Sequence, residues 1–358
     1  MLHTGTEVTH DVSKQARRIL RIAFVAASIG SLFLVPWRLV WARVRPLPST
    51  VQAQVDQAVE YGFEGVVVYV DAASKAPAWY TAGWHERSTK VPARPDALFK
   101  IGSINKLYTA VATTKLAHAG RLDLDAPLAT YFPELVGRIE HAERITLRML
   151  VQHRSGIPNF TDTPDYWAHP KESDQEKLEL VLDRPADFEP GMDHAYCNTN
   201  YLLLSMLMDR TLGYPRSRYI QVEILEPLGL QHTYFSLGEV DLADVMSGYH
   251  IGHPHDLKSD EQGMLATAAD VGTFVRALND GSAFEGGERA IYSSIYELGH
   301  NGWVPGYQSF AHYRPQLDAV VVAFYNTTDP DLLLWNTAEI VNGRIVRILA
   351  AEHDDPGG

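Results

Sequence analysis

The strongest constraint on the fold comes from two stretches at opposite ends of the chain. "EGVVVYVDAA" (64–73) and "DAVVVAFYNT" (318–327) are dense in β-branched residues. Valine loses side-chain freedom in a helix and packs well on a pleated surface, so both read as strands. Each has companions: "APAWYTAGWHE" (76–86) follows the first across a turn, and "YELGHNG" (296–302) and "YQSFAHYR" (307–314) precede the second, with turns at Pro305-Gly306 and Pro315-Gln316. Between these ends, from Leu122 to about Asn279, the pattern is helix and loop, broken by prolines such as Pro127, Pro158, Pro190 and Pro227. "NYLLLSMLMDRTLG" ends at Gly213 and "TAADVGTFVRALNDG" at Gly281, each a helix closed by glycine. Further helices are expected over Val51–Glu60, from about Ser103 to Ala119, and over "DLLLWNTAEIVNGRIVRILAAE", where Gly343 is a weak point. The economical architecture is α+β. The first and last segments (51–102 and 285–352) build one sheet, and 103–284 form a helical insert lobe. The cleft between them is the expected place for a site.

The formal net charge is −13, unevenly placed: residues 1–50 carry a net +5 and the rest −18. An acidic body argues against nucleic acid as a partner. Cys197 is the only cysteine, which excludes an intrachain disulfide and a Cys-rich zinc site. The N-terminus divides into a basic segment (1–21), an apolar stretch (22–41) and a Pro-containing linker (42–50). "IAFVAASIGSLFLVPW" has 16 residues, and a snorkelling Arg38 extends it to 20 at Trp41, about 30 Å of helix. No small-residue cleavage site follows, so the expectation is an uncleaved N-terminal membrane helix rather than a removed signal. The basic residues on both flanks leave its orientation open. The body runs over 51–352, and the tail 353–358, "HDDPGG", is expected to fray.

Within "KIGSINKLYTA" (100–110), Ser103 stands three residues before Lys106. On a helix these positions share a face, so hydroxyl and ammonium can meet. A serine is a poor nucleophile unless a base takes its proton, and a lysine does so only where its surroundings favour the neutral amine. A helix cap with a surface lysine would give the same spacing. Two further segments favour chemistry: Tyr196-Cys197-Asn198, and His300-Asn301-Gly302 on an expected strand.

With these motifs in this order, the chain resembles the superfamily of serine β-lactamases and penicillin-binding D,D-peptidases, in its branch with class C β-lactamases, D,D-carboxypeptidases, D-aminopeptidases and esterases. "ITLRMLVQHRSGIPNF", "ILEPLGLQHTYF" and "GMLATAADVGTFVRAL" are similar to family segments too, so the resemblance extends from about Val51 to Asn326. It implies an antiparallel sheet flanked by helices and a serine hydrolase without metal or organic cofactor, which the expected N-terminal helix would anchor in the membrane with its catalytic domain extracytoplasmic. Its partner would be a peptide or small-molecule substrate. Ser103 would be acylated; Lys106 would position and share its proton; Tyr196 would act as general acid or base. Asn198 would bond the substrate amide. Asn301 and Gly302 would shape the strand beside the substrate, and the backbone N–H groups of Ser103 and Trp303 would form the oxyanion hole. His300 stands where a lysine is common and would share in proton traffic, its charge supporting the Tyr196 phenolate with that of Lys106. His-Asn-Gly in place of Lys-Thr-Gly points to D-amino-acid peptides or esters ahead of β-lactams. A membrane-anchored binding protein without turnover is the alternative of another class. Cys197, where serine or alanine is common, is expected to pack inward.

"GYHIGHPHD" carries His250, His253, His255 and Asp256. Histidines at this spacing can ligate zinc, but a polar loop without a second cluster reads as the rim of the cleft.

Overall fold

A computed structural model describes residues 6–32, 35–73, 75–260 and 263–354. The chain falls into two units, Met1–Pro46 and Leu47–Gly358. The first contains helices α1 (Thr6–Leu32) and α2 (Trp37–Val44). The single membrane helix expected over 22–41 is not supported. Pro36 caps α2, and a proline disfavours helix at the residue before it. The apolar part of α1 from Ile22 covers only about 16 Å against a bilayer core of about 30 Å. Among the described residues no helix is long and apolar enough to cross a membrane.

The second unit opens with α3 (Val51–Glu60), whose Thr50 hydroxyl accepts from Ala53 N at 3.2 Å. Six strands make the main sheet: β1 (Gly65–Ala72), β2 (Ala78–Glu86), β3 (Val91–Pro92), β4 (His300–Val304), β5 (Tyr307–Arg314) and β6 (Ala319–Tyr325). They form one antiparallel sheet in the order β3-β2-β1-β6-β5-β4. The two valine-rich segments are therefore neighbours, with Val68 opposite Ala323. The sheet joins segments from both ends of the unit, and β3 and β4 are its two edges.

β6 is buried at every residue because helices cover both faces. On one side Val67, Tyr69, Val320, Val322 and Phe324 join the main core with α6 (Ala268–Asp280). On the other, α7 (Leu333–Asp354) accepts from Tyr325 OH at Asn342 Oδ1, 2.7 Å away, and sets the Trp335 ring tilted against Phe310 at 4.8 Å. α7 passes through Gly343 unbroken and takes in residues 353–354 of the expected tail; 355–358 lie outside the described residues.

The intervening stretch supplies α4 (Asn105–His118) and α5 (Asn198–Leu212). α4 is buried from Lys106 to Leu116, as a helix at the centre of a core must be. The Tyr108 ring on α4 stacks on Phe274 of α6 at 3.8 Å, so α6, although inside the expected helical lobe, packs directly on the sheet. Gly213 and Gly281 close α5 and α6 in the left-handed conformation.

Gly272 faces Tyr69 of β1, and a Cβ there would sit 2.3 Å from Tyr69 Cε1. Alanine favours a helix by about 1 kcal/mol, whereas overpacking costs about 1–3 kcal/mol. Gly272→Ala is therefore expected to lower the thermal midpoint; an unchanged or raised midpoint would show that α6 can slide off the ring.

Candidate active site

Ser103 sits in a tight turn, Gly102–Ile104, that leads into α4. Gly102 has φ +54°, and a Cβ on it would lie 2.9 Å from Trp303 N. Glycine is thus required both by the left-handed backbone and by the close approach of β4. Lys106, in the first turn of α4, is 4% exposed and not a surface charge. Its Nζ donates to Ser103 Oγ at 3.1 Å and to Asn198 Oδ1 at 2.8 Å, and lies 5.0 Å from the Tyr196 ring and 5.5 Å from that of Tyr201. Ser103 caps neither the turn nor α4. Instead its Oγ accepts from Tyr196 OH at 2.5 Å. The structure thus places Ser103, Lys106, Tyr196 and Asn198 together, as the resemblance implies.

Asn198 is fixed on three sides. Its N donates to Asn159 Oδ1 and its Nδ2 to Thr161 Oγ1, both at 3.0 Å, while its Oδ1 receives Lys106. Cys197 points inward, 3% exposed, with Sγ 3.2 Å from Ile157 O. Burial pushes its thiol pKa up.

His153 was not singled out from the sequence, although "VQHRSG" contains it. Its Nδ1 accepts from Cys197 N at 3.1 Å, its carbonyl accepts from Ala195 N at 3.1 Å, and its ring lies 4.6 Å from that of Tyr196. It therefore holds the segment leading to Tyr196. Burial first, then the Lys106, His194 and His300 charges, push its pKa down to about 3, which suits an acceptor nitrogen. Asn159 and Thr161 were likewise missed. Their partners lie about forty residues away and leave no local signal.

His300 is buried on β4, its ring 6.2 Å from that of Tyr196 and 6.0 Å from that of Tyr296. Burial, then the Lys106 charge, lower its pKa to about 4. Near neutral pH it is uncharged, so it does not add the positive charge expected beside Tyr196. Its Nε2 lies 3.4 Å from Glu297 Oε1, and with a neutral ring this contact is no ion pair. Asn301 faces the other way, its Oδ1 2.6 Å from His312 Nε2, so it steadies the strand. At Gly302 a Cβ would meet Ile101 O at 2.1 Å and Ser309 Oγ at 2.3 Å. The sheet edge and the nucleophile turn thus touch through backbone, with Trp303 next along the strand.

His250 Nδ1 pairs with Thr328 Oγ1 at 2.8 Å, and His253 Nδ1 lies 3.3 Å from His255 O. Among the described residues no group of three or more His, Cys, Asp or Glu could hold a metal ion.

An antiparallel sheet whose edge abuts a serine hydrogen-bonded to lysine and tyrosine is the architecture of the serine beta-lactamase fold. The chain belongs to the beta-lactamase family, whose model matches residues 49–294. A relative from Escherichia coli O157:H7 described as "Putative D-alanyl-D-alanine carboxypeptidase" is 23% identical over 284 residues, 67% of this chain and 65% of its own. A Salmonella agona relative of the same description is 26% identical over 171 residues, 44% of this chain and 40% of its own. The chain thus spans less than two thirds of the length of either relative. Among solved structures, D-amino acid amidase from Ochrobactrum anthropi SV3 superposes with TM-score 0.74 at 22% identity, covering 84% of this chain and 98% of that one. A penicillin binding protein from Bacillus halodurans gives 0.69 at 20%, covering 82% and 99%. At these identities the likeness is one of fold.

The neutral histidines make stability depend on pH. His153, His300 and His312 have pKa values pushed down to about 3, 4 and 4. Unfolded, each takes up a proton near 6.5. From about pH 6.5 down to 4 the unfolded chain therefore binds more protons than the folded one, and stability falls on acidification. The slope is on the order of 1 kcal/mol per pH unit for each histidine. Urea midpoints should drop across this window, and His300→Gln should flatten the dependence; equal slopes in both proteins would assign the acid sensitivity elsewhere.

Proposed function

We propose that the chain hydrolyses amide or ester bonds through an acyl-enzyme at Ser103, with D,D-carboxypeptidase-like action on D-amino-acid peptides as its substrate class. The observation that carries this is the pair of hydrogen bonds converging on Ser103 Oγ, from Tyr196 at 2.5 Å and Lys106 at 3.1 Å. In the reactive form, Oγ bonds to the carbonyl carbon and its proton passes to the Tyr196 oxygen or to Lys106 Nζ. The same proton then goes to the leaving nitrogen or oxygen as the scissile bond breaks. Water then attacks the acyl carbon and loses a proton to the same pair; the bond to Oγ breaks, Oγ takes back a proton from that pair, and the acid is freed. The Ser103 and Trp303 N–H groups would hold the oxyanion. Asn198, held by Asn159 and Thr161, would present its amide to the substrate. His300 would take its part in proton traffic as a neutral imidazole. The names of the curated relatives and of the amidase fold neighbour support the choice of D-amino-acid substrates. This reading places the catalytic unit outside the cytoplasm, where such peptides occur. His-Asn-Gly in place of Lys-Thr-Gly favours an ester as the second substrate, ahead of a β-lactam.

A fluorescent fluorophosphonate or penicillin should label the wild type and leave Ser103→Ala unlabelled. Lys106→Ala and Tyr196→Phe should each lower kcat/KM about 10²–10⁴-fold with little change in melting. A D-Ala-D-Ala peptide, a short acyl ester and a cephalosporin compared side by side then rank the substrates. Neither labelling nor ester turnover would leave a binding protein; inertness to the peptide with active ester turnover would move the assignment to esterase.

A further inference from the structure

The segment that steadies Asn198 continues beyond the catalytic groups. From Asn159 and Thr161 it passes Tyr166 and reaches Trp167. Phe160 and Tyr166 are buried, their rings meeting edge-on at 5.2 Å, and Tyr166 meets Trp167 edge-on at 5.3 Å. Trp167 remains 42% exposed, and its ring meets that of Trp303 at 5.4 Å with an interplanar angle of 84°. Trp303 is only partly buried. Its backbone nitrogen is the atom that approaches Gly102, the residue before Ser103. A half-open indole pair thus begins at the nucleophile turn, braced from behind by two buried aromatic rings.

Its position along β4 indicates what it would touch. The leaving group must receive a proton, so it departs at the Tyr196 end of the cleft, where His300 lies. Trp303 is three residues further along the strand, roughly 10 Å away. With the carbonyl carbon at Ser103 Oγ and its oxygen toward Trp303 N, the remaining substituent, the acyl side chain, runs toward the indoles. Neither indole takes part in the proton transfers. Two rigid rings with open faces offer a large apolar contact at low entropic cost.

We propose that Trp167 and Trp303 form an aromatic subsite that selects acyl groups carrying an aromatic or large apolar side chain. The subsite rests on the Ser103 acyl-transfer reading. Trp167 acts as a specificity residue, set in place by the same segment that fixes Asn198.

Two p-nitrophenyl esters sharing one leaving group, the phenylacetate and the acetate, isolate the acyl side. The wild type should favour phenylacetate about tenfold or more in kcat/KM, the scale of one good aromatic contact. Trp167→Ala should remove most of that preference, chiefly through KM, slowing phenylacetate far more than acetate. Trp167→Phe should restore much of it. Melting curves identify a variant that has lost its fold, in which case Trp167→Phe and Trp303→Leu carry the comparison. Turnover with a wild-type ratio near one, or a Trp167→Ala variant that slows both esters equally, overturns the subsite alone. No turnover of either ester by a protein that fluorophosphonate still labels overturns the subsite alone; no turnover and no labelling overturns the acyl-transfer reading and the subsite with it.

Discussion

The rest of the site depends on the backbone contact between the turn at Gly102 and the sheet edge at Gly302. A methyl group at Gly302 would fall 2.1 Å from Ile101 O, and one at Gly102 would press on Trp303 N. Side chains at either point would drive the nucleophile turn off the strand. The contact is reinforced where Ser309 Oγ donates to Ile101 O at 2.8 Å and Ile101 N donates to Met264 O at 3.1 Å. Ser103 is thereby fixed to the sheet on one side and, through buried α4, to the helical core on the other. A nucleophile so held loses little further freedom when a carbonyl arrives.

Electrostatically, the centre is one lysine among neutral polar and aromatic groups. The Lys106 ammonium is held by a hydroxyl, an amide oxygen and two ring faces, with no carboxylate among these partners. A buried cation so placed needs every one of its hydrogen bonds. The nearby imidazoles of His153 and His300 are held uncharged by burial and by Lys106 itself. Among the described residues, Lys106 is therefore the cation that meets both Ser103 and the Tyr196 ring.

Much of this was legible in the sequence where the signals were local. β5 spans 307–314 as expected because Pro305-Gly306 and Pro315 bound it, and α5 and α6 stop at the glycines that mark them. Ser103, Lys106, Tyr196 and Asn198 were named through the family resemblance that their motifs carry together, since the serine–lysine spacing alone fits a helix cap as well. What could not be read was set by distant parts of the chain. Asn159, Thr161 and His153 gain their meaning only when α5 brings 195–198 against them. The charge of His300 depends on burial, which a single residue on an edge strand does not reveal. At the N-terminus the apolar stretch over 22–41 is shared between α1, which ends at Leu32, and α2, which starts after Pro36, and hydropathy alone does not show that division.

The inward turn of Cys197 gives the molecule a built-in reporter. This single thiol lies between Tyr196 and Asn198, buried, with its backbone tied to His153. A thiol reagent can reach it only when that segment lifts, because the reactive thiolate is suppressed by burial. The rate of its modification in the native protein therefore measures how often the Tyr196 segment opens. A disulfide between two copies would form only from molecules already open there.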